Sequence, residues 1–376
     1  MKKIIIISKK MESGGTEVSL LNTIKELRKH DVQITLGLLK KEGVYLEKIP
    51  KEVNVFEIFN DQEKYFNKID IKSLKVFEFF KIIFGKILRK MSYPLFYKYL
   101  LKQKLNENNE VYDLAIDYHG YGYFGTPYII EKVKAKKKVT FIHDEKIDWL
   151  NKVENWFGKF DKIFCVSESC KNKVLLQYSY LENKLDIFRN IVDEEKILED
   201  AKENIEGLSN KINILTIGRL EYQKGYDLLI KVANRLDKNK FTWYIIGEGS
   251  LKNKIQEDIE KNNLQQNVVL LGMKINPYPY MKLSDIYVQP SRHEGYGIAI
   301  AEARCLNKPI IATNLECIRE QITDNITGKL CEFNEEDFAN SITELILNDS
   351  KRKYYQDNLK KEGFKNNNDI IKLLEE

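Results

Sequence analysis

Short apolar segments alternate with amphipathic segments along most of the chain, and this alternation restricts the fold more than any other feature of the sequence. A first series of strand-like segments comprises Lys3–Ser8, Val32–Leu38, Leu114–Asp117, Lys138–Ile142 and Lys162–Val166. A second series comprises Ile212–Ile217, Thr242–Ile246, Val268–Leu271, Ile286–Gln289 and Pro309–Thr313. Helical patterns lie between the strands, such as Glu17–Lys29, Tyr226–Leu236, Ser250–Asn262 and Ile298–Cys305. Repeated strand–helix alternation is typical of parallel sheets joined by right-handed crossovers. The sequence therefore predicts the α/β class, with two doubly wound domains.

The length and the distribution of charge also indicate two domains. A chain of 376 residues exceeds the ~150 residues of a typical domain. Residues 1–190 contain 35 basic and 25 acidic residues, a net charge of +10, whereas the remainder contains 26 basic and 31 acidic residues, a net charge of −5. We place the boundary in the highly charged stretch Asp193–Lys211. The predicted domains are residues 1–192, residues 193–350 and a helical tail, 351–376, that we expect to pack back on the first domain.

The composition excludes several classes of protein. Apolar residues make up 43 % of the chain and charged residues 31 %, which argues against intrinsic disorder. The five cysteines are odd in number and form no CxxC pair, so neither a disulfide framework nor a zinc site is expected, and a reducing compartment is favoured. The apolar run Ile4–Ile7 is too short for a signal peptide, and no uncharged run approaches the ~18 residues that a transmembrane helix needs.

The basic excess of the first half is concentrated between Lys72 and Lys104. This stretch holds nine basic residues against one acid, Glu78, and aromatic residues lie between them. We expect two helices, divided at Pro94. Basic, aromatic-rich amphipathic helices suit an anionic membrane surface; a core helix with a solvated basic face is the alternative. A nucleic-acid site is less favoured because no recognition motif accompanies the charge.

Open parallel sheets bind ligands beyond the carboxyl ends of their strands, so the residues that follow the strands are candidates for a site. Gly14 and Gly15 follow the first strand and would let an anion approach a helix N-terminus, although a plain tight turn is the simpler explanation. Arg219 and Lys224 flank a loop after Ile212–Ile217 and could neutralise a diphosphate, with a pair of surface cations as the alternative. Gly247–Glu248–Gly249 lacks the third glycine of a dinucleotide fingerprint, which argues against a nicotinamide enzyme.

The most informative segment runs from Pro290 to Ala303. Glu294 lies in a glycine-rich loop, and Glu302 follows eight residues later in a small apolar helix. A carboxylate in such a helix is costly to bury without partners, and a pair of hydroxyl donors such as those of ribose would suit it. Gly295 and Gly297 would let a ligand contact backbone N–H groups at the start of the helix.

Together these motifs resemble the retaining, nucleotide-sugar-dependent glycosyltransferases of the GT-B fold, specifically family 4, whose E-x7-E motif matches Glu294 and Glu302. The resemblance covers nearly the whole chain and includes the motifs 14–17, 142–144, 165–169, 189–193, 218–219 with 224–225, and 309–313. The chain departs from the family at Ile191, where a glycine is usual. This loop is therefore not assigned to the site.

The resemblance implies a GT-B fold, in which two Rossmann-like domains face each other across a cleft. The N-terminal domain would bind the acceptor and the C-terminal domain the nucleotide sugar. Glu302 would hold the ribose, Arg219 and Lys224 would bind the diphosphate and stabilise the leaving nucleotide, and Glu294 would contact hydroxyls of the donor sugar. The resemblance assigns further contacts to Gly295, Tyr296 and Gly297 (sugar and β-phosphate), Gly14 and Gly15 (phosphates), Met273 (base), His143 (reacting centre) and His119 (acceptor). For His143 the alternative is a histidine that caps a turn.

The implied reaction is glycosyl transfer with retention of configuration, through an oxocarbenium-like transition state. No cofactor and no metal are expected, because the chain contains no Asp-x-Asp and the two cations can neutralise the diphosphate. The expected partners are a UDP- or GDP-sugar, a glycan or polyprenyl-linked glycan acceptor and, through residues 72–104, an anionic membrane surface. The expected pathway is bacterial surface polysaccharide synthesis, in the cytoplasm or on the inner face of the cell membrane. A nucleotide-sugar epimerase of the same fold and a non-catalytic nucleotide-sugar-binding protein are the alternatives.

Overall fold

The chain forms two compact units. The computed structural model describes residues 1–12, 14–59, 76–106, 108–364 and 369–376, except for the side chains of residues 76–78. Unit 1 comprises the described residues up to Arg189 together with those from 369 to 376, and unit 2 comprises the described residues from Asn190 onward up to 364. The chain therefore leaves unit 1 to form unit 2 and then returns to it.

Unit 1 is built on a parallel sheet, which has seven strands within the described residues. The strands are β1 (Lys2–Ser8), β2 (Val32–Leu38), β3 (Asn54–Glu57), β4 (Val111–Asp117), β5 (Lys134–Ile142), β6 (Lys162–Cys165) and β7 (Leu185–Ile187). Their order is β3-β2-β1-β4-β5-β6-β7. Strand β1 lies between β2 and β4, and Ile5 pairs with Thr35 on one side and Ala115 on the other. The strand order reverses between β1 and β4, which is the point at which such sheets bind ligands.

Helices connect the strands of unit 1 and close it at the C-terminus. They are α1 (Gly15–Leu27), α2 (Val76–Met91), α3 (Tyr93–Leu100), α4 (Gly125–Lys132), α5 (Glu154–Phe157), α6 (Glu168–Gln177) and the terminal α15 (Ile370–Glu375). Helices α2 and α3 form a hairpin. The break lies at Ser92, which caps α3, and Pro94 occupies the first turn of α3, where its missing N–H costs nothing. Lys72 and Lys75 of the basic stretch lie outside the described residues.

Unit 2 repeats the same architecture. Its strands are β8 (Ile212–Ile217), β9 (Phe241–Ile246), β10 (Val268–Gly272), β11 (Ile286–Gln289), β12 (Ile310–Thr313) and β13 (Lys329–Cys331), in the parallel order β10-β9-β8-β11-β12-β13. Its helices are α7 (Glu194–Asp200), α8 (Tyr226–Arg235), α9 (Lys252–Lys261), α10 (Tyr278–Leu283), α11 (Ile298–Cys305), α12 (Glu316–Arg319), α13 (Glu335–Leu347) and α14 (Asp349–Glu362).

Successive side chains of the buried strands in unit 2 pack into two different apolar clusters, one on each face of the sheet. Ile214 packs into one apolar cluster with Trp243 and Val288, whereas its neighbour Leu215 packs into the opposite cluster with Tyr287. Successive side chains of a strand point to opposite faces, so a strand with helices on both sides must be apolar throughout. These continuous apolar runs made the inner strands predictable from the sequence.

The predicted fold class is confirmed, and the predicted strands are present with small differences in their bounds. The sequence analysis missed three strands, β3, β7 and β13, each of which is the last at one edge of its sheet. They have three or four residues and are paired on one side only. Among the described residues, no helix combines the length and apolar character needed to cross a membrane.

Candidate active site

Two loops of unit 2 meet at the carboxyl end of its sheet. Strand β8 pairs with β11, and the strand order reverses between them. The loop 218–225 follows β8, and the loop 290–297 follows β11. Because both strands run in the same direction, the two loops emerge side by side at the switch point, where a sheet of this type binds its ligand.

An ion pair between Lys224 and Glu294 joins these loops. The Lys224 Nζ lies 2.6 Å from Glu294 Oε1, and the side chains are only 17 % and 8 % exposed. Ser291 Oγ donates to the same oxygen over 2.7 Å, and Gln289 Nε2 reaches it at 3.4 Å. Gln289 Nε2 also donates to Ser291 Oγ over 2.9 Å, which orients that hydroxyl.

Gly225 allows the two loops to approach this closely. Its φ of +71° lies in the left-handed region, and a Cβ atom there would stand 1.9 Å from the Pro290 carbonyl oxygen. Gly225 is also the N-cap of α8. The first residue of that helix, Tyr226, donates its hydroxyl to the Gly218 carbonyl over 2.8 Å. The Lys224 side chain runs close over Gly218. The backbone therefore fixes the position of the lysine.

Arg292 fastens the same loops from the outer side. Its guanidinium donates to both carboxylate oxygens of Asp227, over 2.8 and 2.6 Å, and to the Tyr222 carbonyl over 2.8 Å. The group lies 3.7 Å from the centre of the Tyr222 ring, a cation–π distance. Two hydrogen bonds of Gln223 also join the loops. The Arg292 backbone N–H donates to the Gln223 carbonyl, and Gln223 Nε2 donates to the His293 carbonyl.

Glu302 is a buried carboxyl with one hydrogen-bond donor beside it. It lies within α11, and Tyr278 donates its hydroxyl to Oε1 over 2.9 Å. Burial raises the pKa of Glu302 from its ordinary 4.5 to about 7, and the Tyr278 hydrogen bond opposes that rise only in part. A ligand that supplied two hydroxyl donors would stabilise the ionised form.

The other residues of unit 2 that the sequence analysis assigned to the site lie in the loops that follow β8, β10 and β11. Arg219 follows Gly218 with an exposed side chain, whereas Gly295, Tyr296 and Gly297 are buried between Glu294 and α11. Gly297 has a φ of +84° and caps α11 at its N-terminus. Met273 follows β10 and is 37 % exposed.

In unit 1, His143 lies at the carboxyl end of β5 and is buried. Its Nε2 is 2.6 Å from the Tyr118 carbonyl oxygen, and because a carbonyl can only accept, Nε2 carries the proton. Burial lowers the pKa of His143 to about 4 despite this hydrogen bond. The ring lies nearly parallel to those of Phe141 and Tyr121, at interplanar angles of 12° and 19° and centroid distances of 5.7 and 6.2 Å. His143 is thus a neutral imidazole whose Nδ1 lone pair can accept a hydrogen bond.

The loop after β4 holds an unusual backbone conformation. Gly120, Tyr121 and Gly122 all have positive φ, at 59°, 53° and 63°. Such a conformation is strained for tyrosine and persists only where its surroundings impose it. The buried Asp117 carboxylate accepts from Thr126 over 2.5 Å and from the Gly120 N–H, while burial raises its pKa to about 6. His119 and Tyr121 are thereby fixed close together, with ring centres 5.6 Å apart.

Gly14 and Gly15 begin α1, as the strand–glycine pattern predicts. A Cβ atom at Gly14 would stand 2.4 Å from Glu17 Oε2, so the Glu17 carboxylate folds over this glycine. Glu17 is buried. A phosphate that approached this helix N-terminus would meet that negative charge, which an argument from glycines and the helix dipole alone overlooks.

Sequence reasoning missed the residues that hold the two glutamates. Ser291 and Gln289 adjoin Glu294, and a glutamine ending an otherwise apolar strand is a signal that could have been read. Tyr278 is 24 positions from Glu302 and carried no comparable signal. The same holds for Asp227, the partner of Arg292, which is 65 positions away.

Comparison with protein families identifies part of unit 2. Residues 199–362 match the family described as glycosyl transferases group 1. This range contains both loops, Glu294, Glu302 and Tyr278. It does not include β1–β7.

Curated relatives match parts of the chain or nearly all of it. A Staphylococcus aureus poly(ribitol-phosphate) α-N-acetylglucosaminyltransferase is 26 % identical over 93 % of this chain and 93 % of its own length. A Campylobacter jejuni enzyme, N-acetylgalactosamine-N,N'-diacetylbacillosaminyl-diphospho-undecaprenol 4-α-N-acetylgalactosaminyltransferase, is 31 % identical over 54 % of this chain and 56 % of its own. The chain spans between 41 % and 58 % of the length of four of the relatives it matches.

Comparison with solved structures establishes the fold over the whole chain. A mutant of S. aureus TarM, crystallised with fondaparinux, α-GlcNAc-glycerol and UDP, superposes with a TM-score of 0.71 over 100 % of this chain and 98 % of that protein. The identity is 19 %, so the likeness concerns the fold alone. The predicted GT-B fold is confirmed.

Proposed function

We propose that this chain, whose residues 199–362 match the glycosyl transferases group 1, is a retaining glycosyltransferase. It transfers a sugar from a nucleoside diphosphate sugar to a glycan or lipid-linked glycan. UDP-sugars are the favoured donors, and GDP-sugars are the second choice. The proposal assigns donor binding to unit 2 and acceptor binding to unit 1.

The observation that carries the proposal is the Lys224–Glu294 pair at the switch point of unit 2. A lysine held at 2.6 Å from a carboxylate, in a largely buried position, supplies a fixed positive charge beside a hydroxyl acceptor. A nucleotide sugar needs both, because its diphosphate is anionic and its sugar carries hydroxyl groups. Lys224 and the exposed Arg219 bind the diphosphate and stabilise the charge that develops on it as the glycosidic bond breaks.

Glu302 is proposed to bind the ribose. Its carboxyl lies in an apolar helix, where the ionised form is costly unless two donors reach it. The 2′- and 3′-hydroxyls of a nucleotide are such a pair. Gly295, Tyr296 and Gly297 contact the sugar and β-phosphate through their backbone, and Met273 contacts the base.

The reaction is proposed to proceed on one face of the sugar. The bond from C1 to the phosphate oxygen breaks, the acceptor oxygen bonds to C1 from the same side, and the departing phosphate takes the acceptor proton. The two cations stabilise the leaving group without a metal ion. His143, Gly14, Gly15 and His119 are proposed to contribute from unit 1. As a neutral imidazole, His143 would accept a hydrogen bond from a sugar hydroxyl.

The acceptor is proposed to belong to a bacterial cell-surface polysaccharide. The S. aureus relative acts, by its name, on poly(ribitol-phosphate), and the C. jejuni relative on an undecaprenol-linked sugar. Capsule, lipopolysaccharide and teichoic-type polymers are the corresponding classes. A cytoplasmic location at the inner face of the membrane follows from such an acceptor.

Release of nucleotide from a panel of UDP- and GDP-sugars, with EDTA present, tests the proposal. Wild-type protein should release nucleotide from one donor, and Glu302→Ala should lose that release. Glu257→Ala, which removes an exposed glutamate of the same unit, is the matched control and should retain it. Strict dependence on Mg²⁺ or Mn²⁺ would contradict the metal-free mechanism.

Two other outcomes would assign the chain to a different class. Interconversion of a nucleotide sugar without any acceptor would indicate an epimerase. Absence of release, together with no shift of the melting temperature by UDP or GDP, would contradict a nucleotide-sugar enzyme altogether.

A further inference from the structure

The outer side of the α2–α3 hairpin carries an exposed apolar stripe. Phe80, Phe84, Ile87 and Met91 recur at intervals of four, three and four residues, so they lie on one face of α2. Their exposed fractions are 63 %, 52 %, 49 % and 72 %. Leu95 of α3, 49 % exposed, extends the stripe. We name these five residues the hairpin stripe.

The opposite side of the hairpin is fixed to the body of unit 1. Ile82 and Phe96 are buried, and Tyr97 donates its hydroxyl to the Gly122 carbonyl over 2.7 Å. Tyr99 ties the two helices together by donating to the Lys81 carbonyl over 3.0 Å. The stripe is therefore a defined feature of a packed hairpin, presented outward by residues that anchor its inner side.

Basic side chains flank the stripe on both sides. With about 100° of rotation per residue, Lys81 and Lys90 lie about a quarter turn to either side of it. Lys98 is exposed on α3, three positions after Leu95. Residues 79–106 contain no aspartate or glutamate. An apolar stripe bordered by lysines is the pattern of a helix that lies in the plane of an anionic membrane surface.

We propose that the hairpin stripe docks this protein on an anionic lipid bilayer. The large apolar side chains enter the boundary between headgroups and acyl chains, and the flanking lysines contact lipid phosphates. A second copy of the chain is a poorer occupant, because pairing two such faces would bring lysines against lysines. An acidic polar partner would leave the apolar side chains without a counterpart. The inference stands on this surface alone and does not depend on the proposed transferase activity.

Flotation of the purified full chain with lipid vesicles tests the proposal. At low salt, the protein should bind vesicles that contain phosphatidylglycerol, bind pure phosphatidylcholine far less, and detach as salt screens the charges. Lys90→Glu with Lys98→Glu should weaken binding at least about tenfold, since each lysine near an anionic surface contributes a factor of about five. Phe80→Ser, Ile87→Ser and Met91→Ser combined should weaken it by at least as much.

Matched variants on the same unit separate this face from general surface effects. Lys134→Glu with Lys137→Glu makes the same change of net charge at exposed positions of β5. Val111→Ser, Leu176→Ser and Tyr180→Ser remove three other exposed apolar side chains. Both controls should bind vesicles as the wild type does, and melting temperatures should show that every variant folds.

Three results would overturn the proposal. The first is that the protein does not bind anionic vesicles at low salt. The second is that the hairpin variants and the control variants lose vesicle binding equally. The third is that sedimentation shows a dimer that only the hairpin variants disrupt. Nucleotide release in free solution should be the same in all variants. A failure of the transferase proposal would therefore be visible separately from a failure of docking.

Discussion

Glu302 should couple the stability of unit 2 to pH. Its pKa is about 7 in the folded chain against an ordinary 4.5, so between these values the unfolded chain ionises while the folded carboxyl stays protonated. The folded state therefore loses stability as pH rises from 4.5 to 7, by up to about 3 kcal/mol. Glu302→Gln removes this loss, and we expect the variant to be more stable than wild type at pH 8 and similar at pH 4.5. Urea denaturation at both pH values measures the difference, and a pH-independent difference would contradict the assignment.

His143 gives the opposite dependence. Its folded pKa of about 4 lies below the ordinary 6.5, so stability present above pH 6.5 is lost as pH falls toward 4. We expect the imidazole to remain neutral at pH 5.5, with the proton on Nε2. Nitrogen chemical shifts of the ¹⁵N-labelled ring would show this directly. A titration midpoint near 6.5, or a proton on Nδ1, would contradict the geometry.

Single residues also show how far the site could be predicted from the sequence. Glu294 and Glu302 stand at a spacing that can be read directly from the sequence. The structure places Glu294 against Lys224 and Ser291, and buries Glu302 with the Tyr278 hydroxyl beside it. Tyr278 was not predictable, because the fold alone brings its hydroxyl to Glu302. Glu17 was overlooked for the opposite reason. It lies next to the glycines in the chain, but glycines and a helix start do not show where a nearby side chain folds.

At the scale of loops and elements, Arg292 should position Lys224. The guanidinium joins the loop after β11 to the loop after β8 through Asp227 and the Tyr222 carbonyl. Arg292→Lys keeps the charge but loses the planar fork, so Lys224 should be less well placed. We expect kcat/KM for nucleotide release to fall by about tenfold. Arg235→Lys, at an exposed position of α8, is the matched control. Equal activities of the two variants would show that the Arg292 clamp does not control the site.

Gly225 should tolerate no side chain. Alanine there would have to keep a φ of +71° with its Cβ 1.9 Å from the Pro290 oxygen, so the two loops would separate. We expect Gly225→Ala to destabilise the chain by at least about 2 kcal/mol. Gly207→Ala, where a Cβ meets nothing within 4 Å, should change stability by less than about 1 kcal/mol. Urea denaturation compares the two, and similar losses would mean that the loops can accommodate the shift.

The inner strands and one edge strand, β10, were predictable, whereas the other three edge strands, β3, β7 and β13, were not. A strand such as β8 or β11 is covered on both faces and paired on both sides, so most of its side chains are buried and apolar. Strand β3 is only partly buried, with Asn54 exposed, and β13 is three residues long. An edge strand needs fewer apolar side chains, and its short sequence resembles a loop.

At the scale of the molecule, the repeat of two parallel sheets followed from the sequence. The tail 351–376 was expected to pack back on the first domain, but no motif showed which part would do so: α14 lies in unit 2 and α15 in unit 1. Helix α15 joins unit 1 through contacts that are distant in sequence. Asp369 Oδ2 accepts from the Arg189 N–H over 2.9 Å, and Lys2 Nζ donates to the Leu374 carbonyl over 2.8 Å. These contacts link the first strand, the last residue before unit 2 and the C-terminus. A linear pattern cannot show that three such segments share one core.

The closing helix should therefore stabilise unit 1 specifically. Leu373 is fully buried, whereas Ile371, two positions earlier, is 40 % exposed. Leu373→Ser should cost about 3 kcal/mol, because it removes a buried side chain and places a hydroxyl in its space. Ile371→Ser makes a similar chemical change at the surface and should cost less than about 1 kcal/mol. Hydrogen exchange, followed by mass spectrometry, should show faster exchange in Leu373→Ser across β1, β6 and β7, with β8–β13 unchanged. Equal acceleration in both units would mean that α15 stabilises the molecule as a whole, and unit 1 would then not be an independent folding unit.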